Sequence, residues 1–98
     1  METNELPVAV IGGGPVGLAA AAHLMERGLR PIVFEAGPGV GHAMRDWGHV
    51  RMFSPWRYVV DHASKRALEP SGWVMPDEAA LPTGLDVVQR YLEPLAAL

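Results

Sequence analysis

Six consecutive residues near the start of the chain have the spacing of a phosphate-binding turn, G-x-G-x-x-G. They are Gly12, Gly13, Gly14, Pro15, Val16 and Gly17. The first glycine allows a tight turn, the second lets a pyrophosphate approach the backbone because it has no Cβ, and the third lets a helix lie close to a strand. A pyrophosphate bound there would face unpaired N–H groups at a helix N-terminus, where the helix dipole favours negative charge. The hexapeptide therefore predicts a dinucleotide site.

An acidic residue stands at the distance that such a site requires. Glu35 follows the glycines by about 20 residues and is adjacent to Ala36. A carboxylate there can accept hydrogen bonds from ribose hydroxyl groups, so Glu35 is expected to contact the ribose, and Ala36 is expected to belong to the same cofactor site. The same carboxylate would repel a 2′-phosphate, which favours an arginine instead. The predicted ligand is therefore FAD or NAD rather than NADP.

The glycines and the acid are positioned by three elements that the hydrophobic pattern predicts. Residues 6–11 are a nearly continuous apolar run, as in a strand buried on both faces of a parallel sheet. Residues 15–29 fit a helix with a proline in its first turn and Gly28 as its stop signal. Residues 31–35 fit a second buried strand. Residues 6–36 thus predict an α/β fold with a right-handed, Rossmann-like βαβ unit.

The middle of the chain, residues 37–82, has no sustained period. Glycine, proline, histidine, arginine and tryptophan alternate there, which is typical of a loop. One helix is expected over residues 59–68, ended by Pro70. A two-stranded sheet is not stable alone in water, and residues 49–53, 58–60 or 72–75 are candidates for one further short strand. Otherwise a second copy of the chain, or a further part of the protein, must complete the sheet.

The end of the chain has a clearer helical signal. Thr83 and Asp86 have a spacing related to the capping box, and an apolar stripe follows them, so a helix is predicted over residues 84–97. Pro94 should kink or end this helix, because proline has no backbone N–H to donate. Residues 1–98 are therefore interpreted as a single, partial dinucleotide-binding domain, with one or two helices after its loop-rich part.

Two segments resemble a known superfamily. Residues 8–24, VAVIGGGPVGLAAAAHL, and residues 32–37, IVFEAG, resemble the N-terminal FAD-binding segment of the flavoproteins that include pyridine-nucleotide-disulphide oxidoreductases and flavin-containing monooxygenases. Residues 47–56, WGHVRMFSPW, are similar to a subgroup of bacterial FAD-dependent oxidoreductases. The resemblance implies FAD as the cofactor and a truncated FAD-binding domain. It also implies that a segment within residues 41–51 crosses the flavin. The residues expected to contact the cofactor there are Gly41, Trp47, His49 and Arg51.

Composition excludes several classes of function. With 8 Lys and Arg against 11 Asp and Glu, the net charge of −3 gives no electrostatic basis for nucleic-acid binding. The absence of cysteine rules out disulfide-reductase chemistry. The longest apolar stretch is too short for a membrane span, and Glu2 and Glu5 do not fit a secretory signal, so a cytoplasmic location is expected. The spacing of His42, His49 and His62 matches no helical ligand pair, and no metal is predicted.

Three functions stay open. The first is the FAD-binding portion of a flavin-dependent oxidoreductase of monooxygenase or pyridine-nucleotide type, with NAD(P)H as the co-substrate of the complete enzyme. The second is a fragment of an NAD-binding dehydrogenase, and the third is a nucleotide-binding module without catalytic activity. Members of the superfamily have later flavin contacts and a second glycine motif that this sequence does not contain, so the isolated chain is expected to be inactive. No residue is assigned as catalytic.

Overall fold

A computed structural model describes residues 6–98, and Glu2 and Glu5 lie outside this range. The chain folds into two short strands and six short helices within the described range. In chain order they are β1 (Val8–Ile11), α1 (Pro15–Glu26), β2 (Pro31–Phe34), α2 (His42–Asp46), α3 (Trp56–Val59), α4 (His62–Leu68), α5 (Gly84–Val87) and α6 (Glu93–Ala96). A 3₁₀ turn follows α4, and a π-helical segment joins α5 to α6.

The two strands are parallel and α1 connects them, as expected for a βαβ unit. In the register of the sheet Val8 pairs with Pro31, and Ile11 pairs with Phe34. The Val10 side chain is buried on the face that α1 covers, since Val10 lies close to Gly17 of this helix. The prediction of two parallel strands joined by a helix is confirmed, although β1 begins at Val8 rather than at residue 6.

Helix α1 ends earlier than its sequence pattern suggested. Gly28 has a φ of 75°, which L-residues rarely adopt, and its N–H donates to Met25. The Leu29 N–H donates to Leu24, so both bonds of a Schellman motif are present. Gly28 is therefore the stop signal that the sequence predicted. The helix itself ends at Glu26, because Arg27, Gly28 and Leu29 belong to this C-terminal motif.

Residues 37–82 are less irregular than predicted. They contain α2, α3 and α4. The helix expected over residues 59–68 begins at His62, since Val59 is the last residue of α3 and a division at residues 60–61 separates the two helices. The division occurs because Asp61 caps α4, its side chain accepting a hydrogen bond from the Ser64 N–H at 3.0 Å.

None of the three segments suggested for an additional strand forms one in the described chain. Residues 58–60 end a helix and do not extend a sheet, and residues 72–75 form no strand. Over residues 49–53 the backbone makes a single bridge, between Arg51 and Thr83. Within residues 6–98 the sheet therefore has two strands.

The C-terminal helix runs from Gly84 to Ala96 and passes through Pro94 instead of stopping there. Thr83 and Asp86 form the complete capping box at its start. Pro94 cannot donate to the carbonyl of Arg90, four residues earlier, and the backbone widens into a π turn before it. The indole N–H of Trp73 donates to that Arg90 carbonyl at 2.8 Å. A distant tryptophan thus satisfies the acceptor that the proline leaves free.

The hydrophobic core lies among the helices rather than under the sheet. Its most deeply buried large side chains are Trp56, Leu68, Val87, Val88, Tyr91 and Leu92. One face of the sheet, by contrast, is open: Ile11 is 81% exposed and Phe34 is 54% exposed, and Ala9 and Ile32 on the same face are also exposed. Within the described range, no helix is long and apolar enough to cross a membrane.

Candidate functional site

The glycine loop follows β1 and enters α1 through a tight turn. Gly12 has a φ of 101°, which favours glycine. A Cβ on Gly17 would lie 2.0 Å from the Gly12 carbonyl oxygen and 3.5 Å from Val10. Gly12 is therefore favoured by its own backbone conformation, and Gly17 is required by the close approach of the first turn of α1 to the turn that precedes it.

Gly14 differs from both, because packing does not require a glycine there. It is the N-cap of α1 in an extended conformation that any residue can adopt, with a φ of −85°. A Cβ added there would meet no atom within 4 Å, so the space beside this backbone is open. Nothing in the packing of the described chain demands glycine at this position. An open cradle of this kind is what a ligand that touches the backbone would fill.

The N-terminus of α1 is uncapped. Within residues 6–98 no side chain bonds to it, and its first turn contains no acidic residue. The first intrahelical bond runs from the Leu18 N–H to the Gly14 carbonyl at 3.0 Å. The amides of Val16 and Gly17 therefore have no acceptor within the helix, and Pro15 has no N–H. With Val16 84% exposed, this end of the helix offers N–H donors and the positive end of a dipole to solvent.

Glu35 lies beside the glycine loop, immediately after β2. Its carboxylate accepts the Gly37 N–H at 2.7 Å and the Gly13 N–H at 2.8 Å. These amides, first that of Gly37 and then that of Gly13, lower the pKa of Glu35 below its ordinary value. The Ala36 amide adds a smaller effect in the same direction. An ionised carboxylate offers about four acceptor positions, so two stay available for other donors.

The loop after β2 closes the site from a third side. The Gly41 N–H donates to the Gly13 carbonyl at 3.0 Å. Gly41 has a φ of 65°, and a Cβ there would lie 2.8 Å from Val88 and 3.0 Å from Leu92. Gly41 is thus held between the glycine loop and the C-terminal helix. Of the residues predicted from the sequence, the structure brings together the glycine loop, Glu35, Ala36 and Gly41.

Trp47, His49 and Arg51 make contacts elsewhere. Trp47 packs against Gly84, where an added Cβ would lie 2.7 Å from the indole ring. The Arg51 guanidinium donates to the Leu81 carbonyl, and the His49 side chain is exposed. No hydrogen bond within residues 6–98 joins these three side chains to the glycine loop.

One site residue was missed by the sequence reasoning. Gly37 donates the shorter of the two amide bonds to Glu35, and a Cβ on it would lie 2.6 Å from the His42 side chain. The available signal was a glycine two residues after the acid, at the start of the loop. In the part of the chain that the structure describes, no group of three His, Asp or Glu side chains could hold a metal ion.

A parallel βαβ unit with a glycine turn and an acid after its second strand is the arrangement used by dinucleotide-binding proteins. Comparison with known families is more specific. The family described as DAO, FAD dependent oxidoreductase, matches residues 7–94. The chain therefore belongs to this family of FAD-dependent oxidoreductases, and the resemblance to flavoproteins seen in the sequence is confirmed.

Curated relatives resemble part of the chain. A thiamine thiazole synthase of Methanoculleus marisnigri is 43% identical over 68 residues, which cover 69% of this chain and 25% of that protein. A carotenoid phi-ring synthase of Streptomyces griseus is 48% identical over 46 residues, covering 46% of this chain and 9% of that protein. The chain thus spans about a quarter or less of the length of these relatives. No solved structure matches it.

Proposed function

We propose that this chain is the FAD-binding segment of a flavin-dependent oxidoreductase. The observation that carries the proposal is the open space at Gly14, beside an uncapped helix N-terminus and next to the carboxylate of Glu35. The space at Gly14 and the helix N-terminus offer a place for a pyrophosphate, and Glu35 offers an acceptor for ribose hydroxyls, as a dinucleotide site needs. We further propose that the βαβ unit is the first part of a Rossmann-like fold, within one partial domain over residues 1–98.

Each part of the site has a separate role in this proposal. The amides at the start of α1 hold the pyrophosphate, and Gly14 lets it approach the backbone. Glu35 accepts hydrogen bonds from the ribose while it also orders the glycine loop through Gly13. Gly41 fixes the far side of the loop. When bound, FAD supplies hydride and electron transfer, and the chain supplies its position and electrostatic surroundings.

Trp47, His49 and Arg51 are proposed as contacts of the flavin rather than of the phosphates. This proposal is supported by the resemblance of residues 47–56 and not by any contact with the glycine loop. The monooxygenase or pyridine-nucleotide type, the use of NAD(P)H by the complete enzyme and the cytoplasmic location stay predictions from the sequence.

We also propose that further polypeptide completes the sheet, either a later part of the protein or a second copy of the chain. The support is the open sheet face, where the apolar side chains of Ile11 and Phe34 are cross-strand neighbours. Such a face is costly in water, and two strands do not make an independently stable sheet. On this proposal the isolated chain binds the cofactor but lacks the groups that complete the reaction.

Titration of the purified full chain with FAD tests the proposal, followed by flavin absorbance and fluorescence. The informative variant is Gly14→Asp. Aspartate is a favourable N-cap residue, and there is room for it, so the fold should be kept, while its carboxylate would occupy and repel the pyrophosphate position. FAD affinity should fall at least about tenfold, equivalent to about 1.4 kcal/mol.

Gly39→Ala is the matched control, because an added Cβ there also meets no atom within 4 Å, and it should not change FAD affinity. Circular dichroism checks that each variant is folded. A parallel titration with NAD separates the alternatives: binding of NAD but not FAD would favour a dehydrogenase fragment. Binding of FAD without any NAD(P)H oxidation once the missing parts are supplied would favour a non-catalytic module. A wild-type chain that binds neither dinucleotide would refute the proposed site.

A further inference from the structure

A depression in the surface lies away from the glycine loop, between α3, α4 and the segment that leads towards α5. Its volume is about 300 Å³, at the lower end of the range for small-molecule sites. Val60 and Met75 form its apolar part. Its other lining residues include Arg57, Lys65 and Glu78, so apolar and charged groups face the same space. None of these residues belongs to the site at Gly14 and Glu35.

The depression is positively charged although the chain as a whole is acidic. Arg57 and Lys65 each contribute a positive charge, and His62 also lines the depression. His62 and Lys65 are three residues apart on α4 and therefore lie on one side of it. Glu78 is the one carboxylate in the lining. Against a net charge of −3 for the chain, this concentration of cations is local.

The two permanent cations are not neutralised by neighbours. Neither Arg57 nor Lys65 forms an ion pair with any residue between 6 and 98. The Arg57 guanidinium lies over the ring of Tyr58, 5.2 Å from its centre, which limits its orientation without neutralising its charge. The backbone N–H of Arg57 donates to the backbone carbonyl of Glu78 at 3.2 Å, and this bond joins α3 to the segment that contains Glu78.

We propose that this depression binds a small organic oxyanion, a carboxylate or a phosphate ester with a short apolar body. The guanidinium of Arg57 can form two parallel hydrogen bonds with either group, and Lys65 adds a point charge. Val60 and Met75 bury the apolar body of the ligand. The carboxylate of Glu78 in the lining disfavours a ligand that carries a second negative charge. The site is independent of FAD binding, and it can be occupied whether or not the dinucleotide is bound.

Calorimetric or NMR titration of the full chain tests this inference, with inorganic phosphate in one arm and benzoate in the other. Arg57→Gln and Lys65→Gln should each weaken binding about tenfold or more, equivalent to about 1.4 kcal/mol or more, since each removes a charge-assisted contact. Glu78→Gln should strengthen binding by about two- to threefold, because it removes the single opposing charge. Circular dichroism confirms that the variants are folded.

Arg27→Gln is the matched control. Arg27 is an exposed arginine that donates to the His23 carbonyl of its own helix, so its loss lowers the net charge equally but not at the depression. Saturable binding of either probe that depends on Arg57 and Lys65 supports the site, and the preferred probe identifies its chemistry. Equal weakening by Arg27→Gln would indicate diffuse attraction and overturn it. Loss of phosphate binding in Gly14→Asp but not in Arg57→Gln would assign the anion to the glycine loop and overturn it as well.

Discussion

The substitution Gly17→Ala tests the close approach on which the candidate site depends. The new Cβ would lie 2.0 Å from the Gly12 carbonyl oxygen and 3.0 Å from the Gly12 carbonyl carbon. The Cβ and the oxygen would have to separate by roughly 1 Å or more to reach an ordinary van der Waals distance. Because the oxygen belongs to the backbone of a tight turn, no side-chain rotation can relieve the overlap.

The size of the effect follows from two opposing contributions. Overpacking of this kind costs about 3 kcal/mol at the upper end of its usual range, and replacing a helical glycine by alanine returns about 1 kcal/mol. The free energy of unfolding should therefore fall by about 2 kcal/mol. For a chain of this size each kcal/mol lowers the melting temperature by about 4–8 °C, so a fall of about 8–16 °C is expected.

Thermal unfolding followed by circular dichroism measures the change, with Gly39→Ala as the control because its Cβ would enter open space. The control should melt within about 4 °C of the wild type, since changes away from packed positions are usually within about 0.5 kcal/mol. A Gly17→Ala variant that melts at the wild-type temperature would contradict the close approach to Gly12. So would a Gly39→Ala variant that is destabilised as much, because the effect would then not come from the approach to Gly12.

Two further predictions concern ionised side chains. Asp61→Ala should lower the free energy of unfolding, measured by urea denaturation, by about 1 kcal/mol, because it removes the cap of α4. Asp61→Asn keeps an oxygen that can accept the Ser64 N–H, so its free energy of unfolding should fall by less than half as much. An equal cost for the two variants would contradict the cap. The folded-state pKa of Glu35 is lowered, so its contribution to stability is present above the unfolded pKa of about 4.3 and is lost as the pH falls through the folded value. The difference in melting temperature between the wild type and Glu35→Gln should thus shrink from pH 6 towards pH 3, and a difference that does not change with pH would contradict the role of the carboxylate.

Much of the βαβ unit could be predicted from the sequence because its signals are local. Short apolar runs indicated both strands, and Gly28 marked the end of α1 through its own backbone conformation. The division between α3 and α4 was harder to predict, since the apolar spacing continues across it and only the cap at Asp61 interrupts the helix. The expectation of a further strand over residues 49–53, 58–60 or 72–75 was wrong. It was drawn from the need for a larger sheet and not from a strand pattern in those residues.

The candidate site divides in the same way. The glycine loop and Glu35 were identified from residue type and spacing alone, because a backbone that must turn sharply and approach a phosphate can use few residues other than glycine. Spacing cannot show where a side chain finds its partners. Only the folded chain shows that Glu35 accepts the Gly13 and Gly37 amides, and that Gly41 bonds to Gly13.

Residue type and spacing were enough to predict the local features of this protein: a tight glycine turn, an acid after the second strand, the glycine that ends α1 and the capping box at the start of the C-terminal helix. The tertiary structure decided what those groups contact. It kept the C-terminal helix continuous through Pro94 because Trp73, distant in sequence, takes the free carbonyl of Arg90. It also left one face of the sheet open while the core formed among the helices. The physical reason is that turns and caps depend on neighbouring residues, whereas these outcomes depend on contacts between segments that only folding brings together.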